Sequence, residues 1–297
     1  MNEQYKRDFI RAGSIAKQVR AFGASLIKPG ASYNGVVAQI DAKIKELGAT
    51  AAFPPQLALN DVAAHFLPHP GTDITFSNEL IKVDVGICYN GAIGDCAVTV
   101  DLSGKYQALI NAAEAALLAA EQSIKVGLPI RQIGAIIEST ILAHGLKSVR
   151  NLCGHGLGHY KVHTPPLIPN YGDQSTGVIK AGMTFAIEPF VTNGKGMIHE
   201  VGSPTIFSLQ KTLPVKSPSA ALLLKKIHTF QGLPFSFHAL LTPEIPLIEV
   251  KLALNELLAL GVIAGYPPLV EEEHGMVAQA ENSILVDESG KVFITTR

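Results

Sequence analysis

The apolar residues of the chain follow a helical pattern at two places in its first half. Residues 5–27 and 36–47 carry apolar side chains three and four positions apart, and the second run stops at Gly48. Residues 104–125 and 129–144 repeat the pattern in segments rich in Ala, Leu and Ile. The sequence therefore predicts one pair of amphipathic helices at the beginning of the chain and a second pair beyond residue 100.

Between the two pairs lies a segment typical of a β-hairpin. Its β-branched side chains are interrupted by Asn90-Gly91, the dipeptide that most favours a two-residue hairpin turn. We expect strands at about 81–89 and 92–100. This turn fixes the register of the two strands and so decides which residues face each other.

The pattern changes again in the second half of the chain. Residues 183–191 and 276–286 predict two strands, and each carries one carboxylate inside an otherwise apolar run. Residues 151–170, NLCGHGLGHYKVHTPPLIPN, are dense in Gly, His and Pro and show neither helical nor strand periodicity throughout. We interpret them as a turn-rich segment and a candidate site.

Residues 205–265 have helical patterns of their own, SPSAALLLKKIHTF and PLIEVKLALNELLALG. We interpret this segment as an inserted helical subdomain. The rest of the chain, 1–204 and 266–297, then forms the main domain.

The composition narrows the class of protein. Of 297 residues, 47% are hydrophobic and 16% are charged, which excludes intrinsic disorder, and the formal net charge of −1 gives no global attraction to nucleic acid. The three cysteines form no CxxC pair, and no apolar run reaches the roughly 18 residues that a membrane span requires. We expect a cytoplasmic protein that binds neither a membrane nor a specific nucleic acid.

Four carboxylates occupy positions where the pattern predicts burial. The hairpin register puts Asp84 opposite Ala97, so Asp95, two residues away on the second strand, projects from the same face. Glu188 and Glu281 lie within the two later strands. Because burying an unpaired carboxylate is costly, the four acids need cations, and two divalent ions would balance their charge.

The histidines of the glycine-rich segment differ in what they can contribute. His155 and His159 are spaced like the pair in a zinc protease, but the intervening GLG lacks the glutamate of HExxH and carries two glycines that weaken a helix. We reject that interpretation and expect His159 to have no role in the site. His155 is a suitable neutral nitrogen ligand for a dinuclear metal centre.

Six segments together resemble the methionine aminopeptidases of type II, and the resemblance runs from about residue 5 to the last residue. They are FPPQLALNDVAAHFLPHP (53–70), KVDVGICYNGAIGDCAVTV (82–100), GHGLGHYKVH (154–163), FAIEPF (185–190), YPPL (266–269) and AQAENSILV (278–286). The long interval from Glu188 to Glu281 favours type II, and the lack of a long charged N-terminal extension favours its short archaeal-type form. The resemblance implies an α/β (α+β) pita-bread fold, with a curved antiparallel sheet, helices on its outer face and two pseudosymmetric halves.

The resemblance also implies a role for each metal ligand. Asp84 would bind one ion, His155 and Glu188 would bind the other, and Asp95 and Glu281 would bridge the two. The cofactors expected are two divalent cations, Co, Mn, Fe or Zn, because carboxylate and imidazole ligands accept several ions. A water held between the ions would attack the peptide bond as hydroxide.

Further residues are assigned to the substrate by resemblance. His163 would polarise the scissile carbonyl, His65 would face the scissile amide, and Glu188 would shuttle the proton. Phe190 lies two residues after Glu188, so on one strand it would set an aromatic ring beside the metal. The pocket for an unbranched apolar side chain would be completed by Phe53, Val162 and Tyr266.

The activity that the resemblance implies is removal of the initiator methionine from N-terminal Met peptides and nascent chains. We expect a monomer that works close to the ribosome. Two alternatives stay open at this point: an X-Pro-directed peptidase with the same fold and ligands, and a catalytically inactive pita-bread protein that binds RNA or protein partners.

Overall fold

The computed structural model describes residues 1–297 and contains seven helices. In chain order they are α1 Glu3–Leu26, α2 Tyr33–Glu46, α3 Gln107–Ser123, α4 Ile130–Ala143, α5 Pro218–His228, α6 Phe237–Leu240 and α7 Leu247–Ala259. The first four lie where the apolar periodicity predicts them. The side-chain oxygen of Asn2 caps α1 by accepting a hydrogen bond from the Tyr5 backbone, and Ser32 caps α2 in the same way.

Eighteen short strands build the sheets, and every pairing between them is antiparallel. In chain order they are β1 Thr50–Ala51, β2 Gln56–Leu59, β3 Val62–Ala64, β4 Leu80–Tyr89, β5 Ala92–Asp101, β6 Lys147–Ser148, β7 Cys153–Gly158, β8 Lys161–Pro169, β9 Thr184–Ile187, β10 Phe190–Thr192, β11 Ile198–Glu200, β12 Ile206–Leu209, β13 Phe235–Ser236, β14 Ile263–Tyr266, β15 Leu269–Glu271, β16 Val277–Gln279, β17 Asn282–Val286 and β18 Val292–Ile294.

The helices cover one face of the strands and leave the other face for the site. On β4, Val83 and Val85 are fully buried in a core that includes Ile15 of α1 and Ile40 of α2. Asp84 lies between these valines, so strand alternation turns it toward the opposite face. A second core under α3 and α4 buries strands β9, β10, β16 and β17 in the same way.

The predicted hairpin is present. Strands β4 and β5 pair without interruption from Leu80 and Asp101 to Tyr89 and Ala92, and Asn90 and Gly91 form the turn with positive φ angles.

The glycine-rich segment, in contrast, is not irregular. Strands β7 and β8 form a second hairpin with bulges in its register, and they join the sheet of order β18-β17-β9-β7-β8. The interpretation of this segment as turn-rich is wrong, because its glycines allow backbones to approach one another closely. A Cβ on Gly154 would lie 2.3 Å from the carbonyl oxygen of Ala186, and one on Gly156 would lie 2.4 Å from that of Pro165.

The two later strands are each divided in two. Residues 183–191 form β9 and β10, and residues 276–286 form β16 and β17, so neither prediction of one continuous strand is right. The interruptions fall at Glu188-Pro189 and at Ala280-Glu281, and Pro189 has no N–H to continue a ladder. Phe190 and Glu188 therefore do not share one strand.

The 205–265 segment has its own buried core, which includes Leu223 of α5, Leu240 of α6 and Leu257 of α7. It also contains strands of a small sheet of order β13-β12-β14, so it is not purely helical. None of the helices combines the length and apolar character needed to cross a membrane.

Candidate metal centre and substrate pocket

One cavity of about 220 Å³ gathers every residue that the sequence analysis nominates for the site. Its lining includes the five proposed metal ligands and the six proposed substrate residues: Asp84, Asp95, His155, Glu188, Glu281, Phe53, His65, Val162, His163, Phe190 and Tyr266. These residues come from both halves of the chain and from ten separate stretches of it. His159 does not line the cavity; it is exposed and its Nε2 lies 3.2 Å from the Asn90 carbonyl oxygen.

The first hairpin positions the two aspartates. Asp84 pairs with Ala97 and Asp95 pairs with Gly86, as the turn requires, so both carboxylates project from one face. Strand β5 then contacts the second half of the molecule, because the Ala97 and Glu281 backbones exchange hydrogen bonds of 3.4 and 3.2 Å. This contact brings Glu281 to the hairpin.

The interrupted ladder positions the two glutamates. Ile187 pairs with Asn282 on one side of the interruption and Phe190 pairs with Gln279 on the other, in a single antiparallel register. That register puts Glu188 directly opposite Glu281, where no regular backbone pairing exists. The break therefore turns two strand residues into facing carboxylates at the edge of the cavity.

His155 lies among these acids. Its Nε2 is 3.4 Å from Oε1 of Glu188 and 3.9 Å from Oδ2 of Asp95. Single ligand atoms of Asp95, His155 and Glu281 all lie within 4.8 Å of one another, a spacing that one cation can span. The glycines on both sides of His155 allow strand β7 to lie this close to β8 and β9.

The pKa values of the cluster are those expected of a site that binds cations. Burial raises the pKa of Asp84 to about 7, and burial together with repulsion between the acids raises the pKa of Asp95, Glu188 and Glu281 well above the usual range. Burial lowers the pKa of His155 to about 3, so the imidazole is neutral at pH 7 and free to ligate.

Several buried polar atoms of the cluster have no hydrogen-bond partner within the protein. They are Asp84 Oδ1, Asp95 Oδ1 and His155 Nδ1. Buried polar groups normally have hydrogen-bond partners, so these unpaired atoms and the excess of carboxylates both fit the binding of two divalent cations.

The substrate histidines lie beside the cluster. The rings of His163 and His155 are 4.2 Å apart, and those of His65 and Tyr266 are 5.5 Å apart. Gln56 Oε1 accepts a hydrogen bond of 2.6 Å from the His65 backbone N–H, which helps to hold His65 at a φ of 60°. Burial lowers the pKa of both histidines, that of His65 to about 4.

Sequence reasoning missed Gln279. Its Nε2 lies 3.5 Å from Glu188 Oε2 and 3.4 Å from Glu281 Oε2, so one amide connects the two facing carboxylates. The signal was available, since Gln279 stands two residues before Glu281 in AQAENSILV, the spacing that puts side chains on one strand face.

Comparison with known proteins decides the family. The sequence profile described as Metallopeptidase family M24 matches residues 7–208. A methionine aminopeptidase of Methanocaldococcus jannaschii is 37% identical over 297 residues, covering 99% of both chains, and one of Pyrococcus horikoshii is 39% identical over 290 residues, covering 97% of this chain and 98% of the relative. This chain belongs to the methionine aminopeptidases of family M24.

The M24 assignment confirms the family resemblance and the expected fold. The crystal structure of methionine aminopeptidase from Thermotoga maritima matches with a TM-score of 0.71 at 22% identity, over 100% of this chain and 98% of that one. The architecture described above is thus the pita-bread fold of M24 enzymes. The roles of individual M24 site residues stay predictions, supported by their convergence on one cavity.

Proposed function

We propose that the protein is a metal-dependent aminopeptidase that removes methionine from the N-terminus of peptides and nascent chains. The proposal depends on one observation above all: four carboxylates and one uncharged imidazole converge on a cavity whose other walls are largely apolar. The full-length similarity to methionine aminopeptidases supports the same activity.

The residues present fit two divalent cations. Asp84 would hold one ion, His155 and Glu188 the other, and Asp95 and Glu281 would lie between them. Cobalt, manganese, iron and zinc all accept this set of oxygen and nitrogen ligands. When bound, such a pair lowers the pKa of a water to near neutrality and supplies a nucleophile for amide hydrolysis.

Three residues of the chain would act on the peptide itself. His163 is uncharged because burial lowers its pKa, so a ring N–H donates to the scissile carbonyl oxygen and stabilises the charge that develops there. His65, also uncharged, would face the scissile amide nitrogen. A carboxylate oxygen of Glu188 would take the proton of the nucleophile and return it to the leaving amine.

The apolar part of the cavity suits a methionine side chain. Phe53, Phe190 and Val162 are each less than a tenth exposed and line it together with Tyr266. An unbranched thioether packs favourably against aromatic rings. This wall is the basis for proposing methionine rather than a charged residue at the cleaved position.

A peptide assay tests the function. The purified protein with Co, Mn, Fe or Zn should release methionine from a Met-Ala-Ser peptide, and a chelator or acetylation of the peptide should abolish release, as mass spectrometry would record. His163→Ala should lower kcat by about 10²- to 10³-fold through loss of oxyanion stabilisation. His159→Ala, a histidine outside the cavity, serves as the matched control and should leave kcat unchanged.

The same assay separates the alternatives. Preferential cleavage of X-Pro peptides would indicate the proline-directed peptidase, and failure to turn over any peptide with all four metals would indicate a binding protein of the same fold. The intact set of metal-binding residue types favours an enzyme.

We also propose where the enzyme acts. Because its substrates would be newly made polypeptides, the protein would act as a monomer in the cytoplasm, close to the ribosome. In size-exclusion chromatography we expect the protein to elute at the volume of a monomer. In sedimentation we expect it to be found with translating ribosomes.

A further inference from the structure

We propose that Arg20 is a positioning residue for Glu281, and that it acts from a buried polar network connecting α1, α3 and the last residues of the chain to the metal centre. The inference rests on the proposed dinuclear site. It predicts that residues which touch neither ion nor substrate control how well the second ion is held.

Arg20 contacts the backbone of Glu281 and not its carboxylate. Its Nη1 donates to the Glu281 carbonyl oxygen and to Asn282 Oδ1, both at 2.9 Å, and its Nη2 donates at 2.9 Å to the Thr296 carbonyl oxygen. One planar guanidinium thus bonds the residue proposed to bridge the ions, its neighbour in β17 and the C-terminal segment.

Asn282 makes the arrangement rigid. Its Oδ1 accepts from Arg20 and also from Thr296 Oγ1 at 2.7 Å, and its Nδ2 donates to Glu121 Oε1 at 2.7 Å. Asn282 is 4% exposed and Thr296 is fully buried, so water does not compete for these bonds. The side-chain amide has a single orientation that satisfies all three partners.

The network continues through α3. Glu121 is 7% exposed, and its second oxygen, Oε2, forms an ion pair with Arg297. Thr296 Oγ1 in turn accepts a hydrogen bond of 3.0 Å from the Ser283 backbone N–H. The last residues are therefore bonded to strand β17, which directly follows Glu281 in the chain.

Glu281 needs this support because of its place in the sheet. It lies at the interruption of the ladder, and its bonds to Ala97 are long, 3.2 and 3.4 Å. The bond from Arg20 to the Glu281 carbonyl is shorter than either and is made by a charged donor. A bridging carboxylate has to reach two ions at once, so a small shift of its backbone weakens both contacts.

The test is a Co²⁺ titration of the full-length protein with Arg20→Met, which keeps the length of the side chain and removes the donors. Calorimetry and the visible absorbance of bound Co²⁺ report the two binding steps without reference to turnover. Arg11→Met is the matched control, because Arg11 is an exposed arginine of the same helix. Loss of a residue that orients a ligand typically weakens metal binding by about 10- to 100-fold.

We expect that weakening in the second step for Arg20→Met, a partial rescue in Arg20→Lys and no change in Arg11→Met. Thr296→Val, which keeps the shape of the side chain and removes its hydroxyl, should weaken the same step. This variant tests the network if Arg20→Met does not fold. Two-step binding in folded Arg20→Met or Thr296→Val that equals that of the unmodified protein would overturn the inference. An unmodified protein that binds fewer than two Co²⁺ would overturn the proposed centre itself.

Discussion

At the scale of single residues, metal ions that bind the proposed centre have to displace protons from its carboxylates. Without cations the four carboxylates repel one another and are shielded from water, so they hold protons at a pH where exposed acids would have lost them. His155 is different, because its pKa of about 3 leaves it neutral throughout the physiological range. Competition between protons and metal ions therefore concerns the acids and not the imidazole.

This competition predicts that affinity for Mn²⁺ rises with pH. Asp84, with a pKa of about 7, loses its proton between pH 6 and 8, and the cation binds only the ionised form. Below pH 7 we expect a gain on the order of tenfold per pH unit for each proton displaced. Calorimetry in two buffers of different ionisation enthalpy would measure the protons released, and an affinity that is constant from pH 6 to 8 would contradict the prediction.

The residue types of the site could be predicted because their chemistry is local. A carboxylate within an apolar run needs an explanation wherever it occurs, and Asp84, Asp95, Glu188 and Glu281 are all such residues. Gln279 was not identified although its spacing from Glu281 was a signal, and Arg20 gave no signal, because arginines are common and need no special partner in the sequence. The folded chain shows that Gln279 contacts the Glu281 carboxylate and that Arg20 contacts the Glu281 carbonyl oxygen.

At the scale of secondary structure elements, features set by a local turn could be predicted from the sequence, whereas features set by long-range packing could not. The register of β4 and β5 follows from two residues, Asn90 and Gly91, and was predicted in full. Strand β7 was missed because glycine has a low strand propensity, and Ala186, whose carbonyl oxygen Gly154 approaches, lies far away in sequence. The interruption at Glu188 had a local signal in Pro189, whereas the matching interruption at Glu281 has no proline and follows only from the long-range pairing.

Gly154 tests this explanation. A methyl group in Gly154→Ala would meet the Ala186 carbonyl oxygen at 2.3 Å, so strand β7 has to move, and overpacking of this kind costs about 1–3 kcal/mol. We expect a lower free energy of unfolding in denaturant and weaker metal binding through displaced His155. Gly158→Ala is the control, since its nearest neighbour is a threonine methyl at 3.2 Å. Equal stability of the two variants would argue against close approach as the reason for glycine.

At the scale of the whole molecule, the proposed metal centre draws its ligands from both halves of the chain. Asp84 and Asp95 come from the first hairpin, and His155, Glu188 and Glu281 come from the second half. Bound ions should then stabilise the entire fold, because the unfolded chain does not bring these ligands together.

Chelation should consequently lower the melting temperature. Free metal at 100 times its dissociation constant stabilises a protein by about 2.7 kcal/mol. For a chain of 297 residues this corresponds to roughly 4 °C, which differential scanning calorimetry resolves. Glu281→Gln, whose side chain has lost the bridging charge, should gain clearly less on addition of metal. The same melting temperature with and without chelator would count against a site shared by both halves.

Glu281 comes directly before strand β17, so a fragment of the chain that stops short of residue 281 lacks one of the five proposed ligands. Such a fragment, produced by interrupted translation or by proteolysis, retains Asp84, Asp95, His155 and Glu188 but not the complete set of proposed ligands. Truncated products should therefore not process the N-termini of other proteins, because the proposed chemistry needs ligands from residue 84 through residue 281.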